Sequence, residues 1–193
     1  MKKIKDKNNF YKILYALKNK KVIAYPSECV FALGCDPDCE QAVNSIISIK
    51  KRNKNKGFVL VSSNYEKLKK YVNECSISDK MKKKIFSTWP GNVTWTFPIN
   101  KTTPKWIIGN YSTIAIRISA FDVIRKICIL FKKPIISTSA NISGEKPYKK
   151  FHQVKRKFQS VYVLQEKTGD YTNTSEIRNA KDGKILRKYK FYD

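Results

Sequence analysis

Histidine is nearly missing from this chain, with His152 the single one in 193 residues. That excludes a histidine-rich metal centre. A Ser-His-Asp relay would have to run through His152, whose basic surroundings Tyr148-Lys149-Lys150-Phe151 offer no partner pattern. Glycine is scarce at seven, and neither G-x-x-x-x-G-K-[ST] nor G-x-G-x-x-G occurs. The glycine-loop phosphate cradles of P-loop and dinucleotide folds are therefore excluded. The longest clean apolar stretch, Ile127-Cys128-Ile129-Leu130-Phe131, falls far short of the roughly 20 residues a membrane helix needs. No apolar run follows Met1-Lys2-Lys3, as a signal peptide would require. The five cysteines (Cys29, Cys35, Cys39, Cys75, Cys128) are odd in number and lack C-x-x-C spacing. They argue against a disulfide framework and against zinc, and the expected compartment is the reduced cytoplasm, with no membrane partner. Cys29, before the apolar pair Val30-Phe31, reads as a small buried thiol rather than a nucleophile.

Acidic residues are also few: 15 against 40 Lys plus Arg, a net charge of +25. Such a balance favours polyanionic partners, nucleic acid or nucleotides, because clustered cations release counterions on binding. A compositional cause competes with it. Only six cations are Arg, and the excess Lys comes with abundant Ile and Asn, as AT-biased codon usage produces. The arginines (Arg52, Arg117, Arg125, Arg156, Arg178, Arg187) are thus more informative than the lysines. Hydrophobic residues at 41% and spread aromatics give one globular domain, expected over residues 7–190.

Periodicity gives an α/β chain. Asn8 and Asn9 read as caps for a helix whose apolar face is Phe10, Ile13, Leu14 and Leu17. Val22–Tyr25 reads as a strand stopped by Pro26, and a loop is expected from Ser27. Asp36-Pro37-Asp38 opens a helix that ends in the cations Lys50-Lys51-Arg52. Phe58–Val61 is a second strand, followed by helical spacing at Tyr65, Leu68, Tyr71 and Val72, and again at Met81, Ile85 and Phe86. Trp89-Pro90-Gly91 is a turn, and Val93–Phe97 and Ile114–Ile118 are strands, the latter with Arg117 embedded in it. A helix over about 121–131 leads to a short strand at Ile135-Ile136 and a polar loop from Ser137 to Gly144. Val161–Leu164 offers a last strand, a polar loop runs from Thr168 towards Ile185–Arg187, and the tail after Lys188 is expected to be loosely held.

Three clusters carry chemistry: Lys50, Arg52 and Lys56; Arg117; and the hydroxyl and amide run Ser137 to Ser143. Cations grip phosphates, a forked guanidinium matches a carboxylate, and hydroxyls orient a small polar substrate. Spacing alone stops at a nucleotide or phosphoester site, with solvated surface charge and an ordinary loop as the alternative.

The ordered set Tyr25-Pro26-Ser27-Glu28, Lys50-x-Arg52, Trp89-Pro90-Gly91-x-Val93-Thr94, the Arg117 strand and Ser137-Thr138-Ser139-Ala140-Asn141-x-Ser143-Gly144 resembles that of YrdC-like proteins, and of their short bacterial form in particular. Ser175-Glu176-Ile177-Arg178 and Leu186-Arg187 extend the resemblance to about Lys188. It implies a single-domain YrdC-like α/β fold, a twisted mixed parallel and antiparallel sheet flanked by helices, with a concave basic face. The implied activity is that of a nucleotidyltransferase: L-threonine, bicarbonate and ATP give threonylcarbamoyl-AMP and diphosphate, for threonylcarbamoyladenosine at position 37 of tRNAs reading A-starting codons.

Carried over residue by residue, the resemblance assigns Lys50 and Arg52 to catalysis. It assigns Arg52, Lys56, Thr113, Ser139, Asn141, Pro147 and Arg187 to ATP, with Mg2+ bridging the phosphates and no protein metal ligand. Ser27, Val61, Arg117, Ser137 and Ser175 would hold threonine, with Arg117 on its carboxylate and Tyr25 in the pocket wall. Implied partners are tRNA or double-stranded RNA on the basic face and the proteins that transfer the threonylcarbamoyl group onward; an RNA-binding module in tRNA or ribosome maturation is the alternative. The chain departs from the family pattern at Ser27 (usually Thr), Asn53 and Asn92 (often Pro), Asn173-Thr174 (often Pro-Ser) and Val61, where some relatives carry histidine. A carbamoyl-transferring relative of the hydrogenase-maturation type is disfavoured, because those carry zinc-finger and acylphosphatase regions.

Overall fold

The computed structural model describes residues 2–192. The strands are β1 (Ile23–Pro26), β2 (Phe31–Gly34), β3 (Val59–Ser62), β4 (Val93–Pro98), β5 (Thr113–Ile118), β6 (Ile135–Ser139), β7 (Tyr162–Val163), β8 (Glu176–Asn179) and β9 (Ile185–Arg187). They form one mixed sheet in the order β7-β1-β2-β6-β3-β5-β4-β8-β9. The helices are α1 (Lys2–Lys18), α2 (Glu40–Lys50), α3 (Asp79–Ser87), α4 (Lys105–Ile108), α5 (Asp122–Phe131) and α6 (Phe151–Lys157). Among the described residues no helix is long and apolar enough to cross a membrane.

Alternation along the strands divides the work of the two faces. Leu60, Ile116, Ile136, Trp95 and Phe97 point into one core with Ala42, Val43 and Ile46 of α2 and Ile107 of α4. On the other face Phe10, Ile13 and Leu17 of α1 and Ile124, Ile127 and Cys128 of α5 pack over Ile23, Tyr25, Val61 and Ile135. These two helices cover only part of that face. The rest is open, and it is floored by neighbours in register: Ser137, Val59, Ala115 and Thr96 in one row, and Arg117 in the next, beside Val61 at the edge of the covered part. Arg117 interrupts an otherwise apolar strand because its position looks onto this open floor.

Several local expectations are corrected. α1 begins well before Asn8 and Asn9, so neither caps it. The expected loop from Ser27 folds back within four residues into β2, which pairs antiparallel with β1. Asp36 and Asp38 do not cap α2, whose N-cap is Cys39. They are drawn off by ion pairs to Lys133, and Asp38 also by Lys70 and the Tyr71 hydroxyl. The spacing at Tyr65–Val72 yields only a 3-10 turn at Lys69–Tyr71, its apolar residues being spent on the core beneath. β6 runs on through Ser137, Thr138 and Ser139, since Ser137 pairs with Val59 and Ser139 with Ala32. The basic stretch after Lys146 contains α6, and the late polar loop contains the β8–β9 hairpin. The tail is tied down rather than loose: Tyr192 N–H donates to Thr172 O (2.8 Å), and Thr174 N–H to Lys190 O (2.9 Å).

Candidate active site

The open floor is the base of a cavity of about 730 Å³. Its walls come from the β1–β2 turn, the α2–β3 loop, the strand ends and the C-terminal hairpin. The cavity gathers Ser27, Arg52, Lys56, Val61, Thr113, Arg117, Ser137, Ser139, Ser175 and Arg187. Ten of the expected site residues, dispersed over 160 positions of chain, thus share one space.

Arg52 enters through the left-handed residue Lys51 that ends α2. Its Nη2 donates to Gly57 O (2.6 Å), its guanidinium lies 4.7 Å from the Phe58 ring centre, and its buried Nε has no partner among the described residues. Burial disfavours its charge, and Tyr111 nearby partly offsets that. Lys56 is held beside it by the bridge to Gly109. The chain passes so closely there that a Cβ on Gly109, at φ +62°, would lie 2.3 Å from Asn55 O. Arg187 reaches in from β9, its Nη2 donating to Ser175 O at 2.9 Å, and the Ser175 hydroxyl accepts from Thr94 Oγ1 at 2.9 Å.

Arg117 lies four residues beyond Thr113, about 13 Å along β5 at the usual rise per residue. It is almost fully buried and makes a two-pronged pair with Glu28, Nη1 to Oε1 at 2.6 Å and Nη2 to Oε2 at 3.0 Å. Ser119 Oγ adds a third donor to Oε1 at 2.6 Å. Burial alone would raise the Glu28 pKa. The Arg117 charge and the hydrogen bonds from Arg117 and Ser119 outweigh it and hold the carboxyl below its ordinary value.

Four expected contacts stand behind the walls instead of in them. Lys50 is 2% exposed, and its ammonium donates to Ser139 O, to Asn141 O (2.8 Å) and to Asn141 Oδ1 (3.2 Å). All three N–H groups are used, so Lys50 is a strut under the hydroxyl loop. Burial, then the charge of Arg52, pushes its pKa down to about 8. Asn141 is equally spent: Oδ1 accepts from Ser139 Oγ (2.6 Å) and Nδ2 donates to Ile142 O and Glu145 O, each 2.8 Å. Pro147 does not line the cavity. Tyr25 is fully buried below the floor, where its hydroxyl donates to Ile136 O at 3.2 Å.

Residues the sequence reading did not place here include Glu28, Thr96, Tyr111, Ile177, Leu186, Lys190 and Tyr192. Glu28 stood within a quoted motif and carried a signal; Lys190 and Tyr192 carried none. Asn92, Asn173 and Thr174, noted only as departures, also reach the wall. Among the described residues Glu28 is the cavity's one carboxylate, and it is already committed to Arg117 and Ser119. Among the described residues no cluster of three His, Cys, Asp or Glu could hold a metal. These donors do not fit a protein-held Mg2+, an ion that ordinarily takes carboxylates.

The Sua5/YciO/YrdC family model, described as telomere recombination, matches residues 15–188. The chain belongs to the Sua5/YciO/YrdC family. It is 50% identical over 181 residues to a protein named threonylcarbamoyl-AMP synthase from Wigglesworthia glossinidia brevipalpis, covering 93% of each chain. It is 44% identical to one of the same name from Yersinia enterocolitica, covering 91% of this chain and 93% of that one. The structure of P. abyssi Sua5 complexed with L-threonine is similar at 25% identity and a TM-score of 0.81. That likeness covers 92% of this chain, which spans about half (53%) of the P. abyssi chain.

Proposed function

We propose that this chain is a threonylcarbamoyl-AMP synthase, converting L-threonine, bicarbonate and ATP to threonylcarbamoyl-AMP and diphosphate. The observation that carries this reading is the division of one cavity into two ends. Arg52 and Lys56 stand beside the start of β5 with no carboxylate partner among the described residues, while Arg117 offers directed N–H groups farther along the same strand. The relatives' names supply the reaction, and the threonine complex of P. abyssi Sua5 supports the amino-acid end.

In this reading Arg52, Lys56 and Arg187 hold the ATP phosphates, with Thr113 and Ser139 on the nucleotide. Arg117 takes the threonine carboxylate, and Ser27, Val61, Ser137 and Ser175 surround the side chain. The threonine amine and bicarbonate form a carbamate with loss of water. A carbamate oxygen then attacks the α-phosphorus, and the bond to diphosphate breaks. The chain's contribution is positioning and charge neutralisation, and no protein base is needed. Lys50 and Asn141 act through the end of β6 that carries Ser139. Any Mg2+ enters as the nucleotide complex and not on protein ligands. The product supplies the threonylcarbamoyl group for adenosine 37 of tRNAs reading A-starting codons, through transfer proteins in the cytoplasm.

The test is diphosphate release and mass-spectrometric detection of the adenylate, with each substrate omitted in turn. Dependence on all three supports the assignment, and no turnover in any mixture overturns it. The +25 charge favours a second reading, a surface for tRNA or double-stranded RNA. Steeply salt-dependent RNA binding that survives loss of turnover would support that one.

A further inference from the structure

Glu28 puts a negative charge into a cavity whose expected ligands all carry an anionic group (carboxylate, bicarbonate or phosphate), and neither the K-x-R nor the S-x-N motif accounts for it. Its place is fixed from three directions. Ser119 Oγ donates to it while accepting from Phe121 N–H (3.1 Å) at the start of α5. Tyr171 N–H donates to Glu28 O (3.0 Å), and Gly169 N–H to Ser27 O (2.9 Å). The loop presses so closely that a Cβ on Gly169 would stand 2.8 Å from Glu28 O.

The pair uses two of the five N–H groups of Arg117, and among the described residues the other three have no protein hydrogen bond. Among the described residues Arg52, Lys56, Arg187 and Lys190 line the same cavity without any carboxylate partner. The cavity is therefore cationic at one end and close to neutral at the other. A guanidinium whose charge is cancelled still directs hydrogen bonds at a planar carboxylate. It no longer attracts a triply or quadruply charged polyphosphate, which Glu28 itself repels at short range in a poorly solvated site.

We propose that Glu28, anchored by Ser119, is a positioning and specificity-determining residue that locks the Arg117 fork and cancels its charge. That end of the cavity then accepts one carboxylate and rejects the phosphate chain of the nucleotide. The proposal rests on the reading of Arg117 as the threonine carboxylate partner. It adds that substrate orientation is set by a built-in anion.

The experiment uses the full chain, follows adenylate formation, and uses tripolyphosphate as the probe. In the unaltered protein tripolyphosphate competes with ATP and not with threonine. In Glu28→Gln, which keeps the shape and sheds the charge, it competes with threonine as well. The threonine KM there rises about tenfold while the ATP KM stays within about twofold, the scale of one misdirected charge-assisted contact. An unchanged competition pattern overturns the proposal, as does an equal rise in both KM values, which marks a merely structural role. Should Glu28→Gln not fold, Ser119→Ala and Glu28→Asp carry the test: each raises the threonine KM alone, and no rise in either is a refutation. Arg117→Ala separates the two layers. If it leaves the threonine KM unchanged, the reading of Arg117 itself fails; if it raises that KM and the Glu28 variants do not, only the present proposal fails.

Discussion

Lys50→Met is the substitution that best separates a strut from a phosphate ligand. Methionine approximates the lysine stem in length and packing but cannot donate. Its introduction strips the donor from Ser139 O, Asn141 O and Asn141 Oδ1 together. Hydrogen bonds to a charged group contribute about 1.5–3 kcal/mol each, while keeping an ammonium buried costs several kcal/mol. The net loss expected is about 2–4 kcal/mol. For a chain of this size that corresponds to a fall in Tm of roughly 5–15 °C. Thermal unfolding by circular dichroism gives the stability, and initial rates give both KM values. A strut predicts a lower Tm with both KM values raised, since the hydroxyl loop lies between the two ends of the cavity. An unchanged Tm with a rise confined to the ATP KM would refute the reasoning, because the ammonium would then be reaching phosphate. The pH dependence provides a second check. With its folded pKa at about 8 against about 10.5 unfolded, the cost of burying the charge is fully present below pH 8. It is relieved as pH rises from 8 to 10.5, so stability gains there in the unaltered protein and not in Lys50→Met. Activity moves the opposite way, falling above pH 8 as the loop loses a donor.

Three further outcomes are expected. Gly34→Ala sets a Cβ 2.4 Å from Ile136 O and 2.8 Å from the Tyr25 ring, so β1, β2 and β6 must part, and denaturant titration should show a loss of about 2–4 kcal/mol. Lys190→Ala removes a cavity cation supplied by the tail and should raise the ATP KM about two- to fivefold with Tm unchanged, the worth of one exposed charge contact. Because the Glu28 pKa is held below its unfolded value, its contribution to stability is present above the unfolded pKa and is lost as pH falls through the folded one. Acid titration of Glu28→Gln should accordingly show a shallower loss of stability at low pH than the unaltered chain.

The strands that floor the cavity were legible wherever apolar residues ran together, as at Val59–Val61 and Ile114–Ile118. They were not legible where a strand is short, or polar along one face. β2 was hidden in a supposed loop because its four residues carry no alternation, all being buried. The end of β6 was hidden because Ser137 and Ser139 face the cavity and read as loop polarity.

The residue types of the site, and their order, were determined by the sequence itself. A guanidinium set in an apolar strand and a hydroxyl-rich run at a strand end declare anion chemistry through local spacing, and local spacing is what a sequence displays. Which donors remain free for a ligand was decided only by the tertiary structure. The partners that use up Lys50 lie 89 and 91 residues away, and the carboxylate that meets Arg117 lies 89 residues away. Folding brings those atoms together because the sheet order places β1, β3, β5 and β6 around one open face. A hydrogen bond is a short-range, directional contact, and so the difference between a cation that binds substrate and one that braces the wall exists only once the chain is folded.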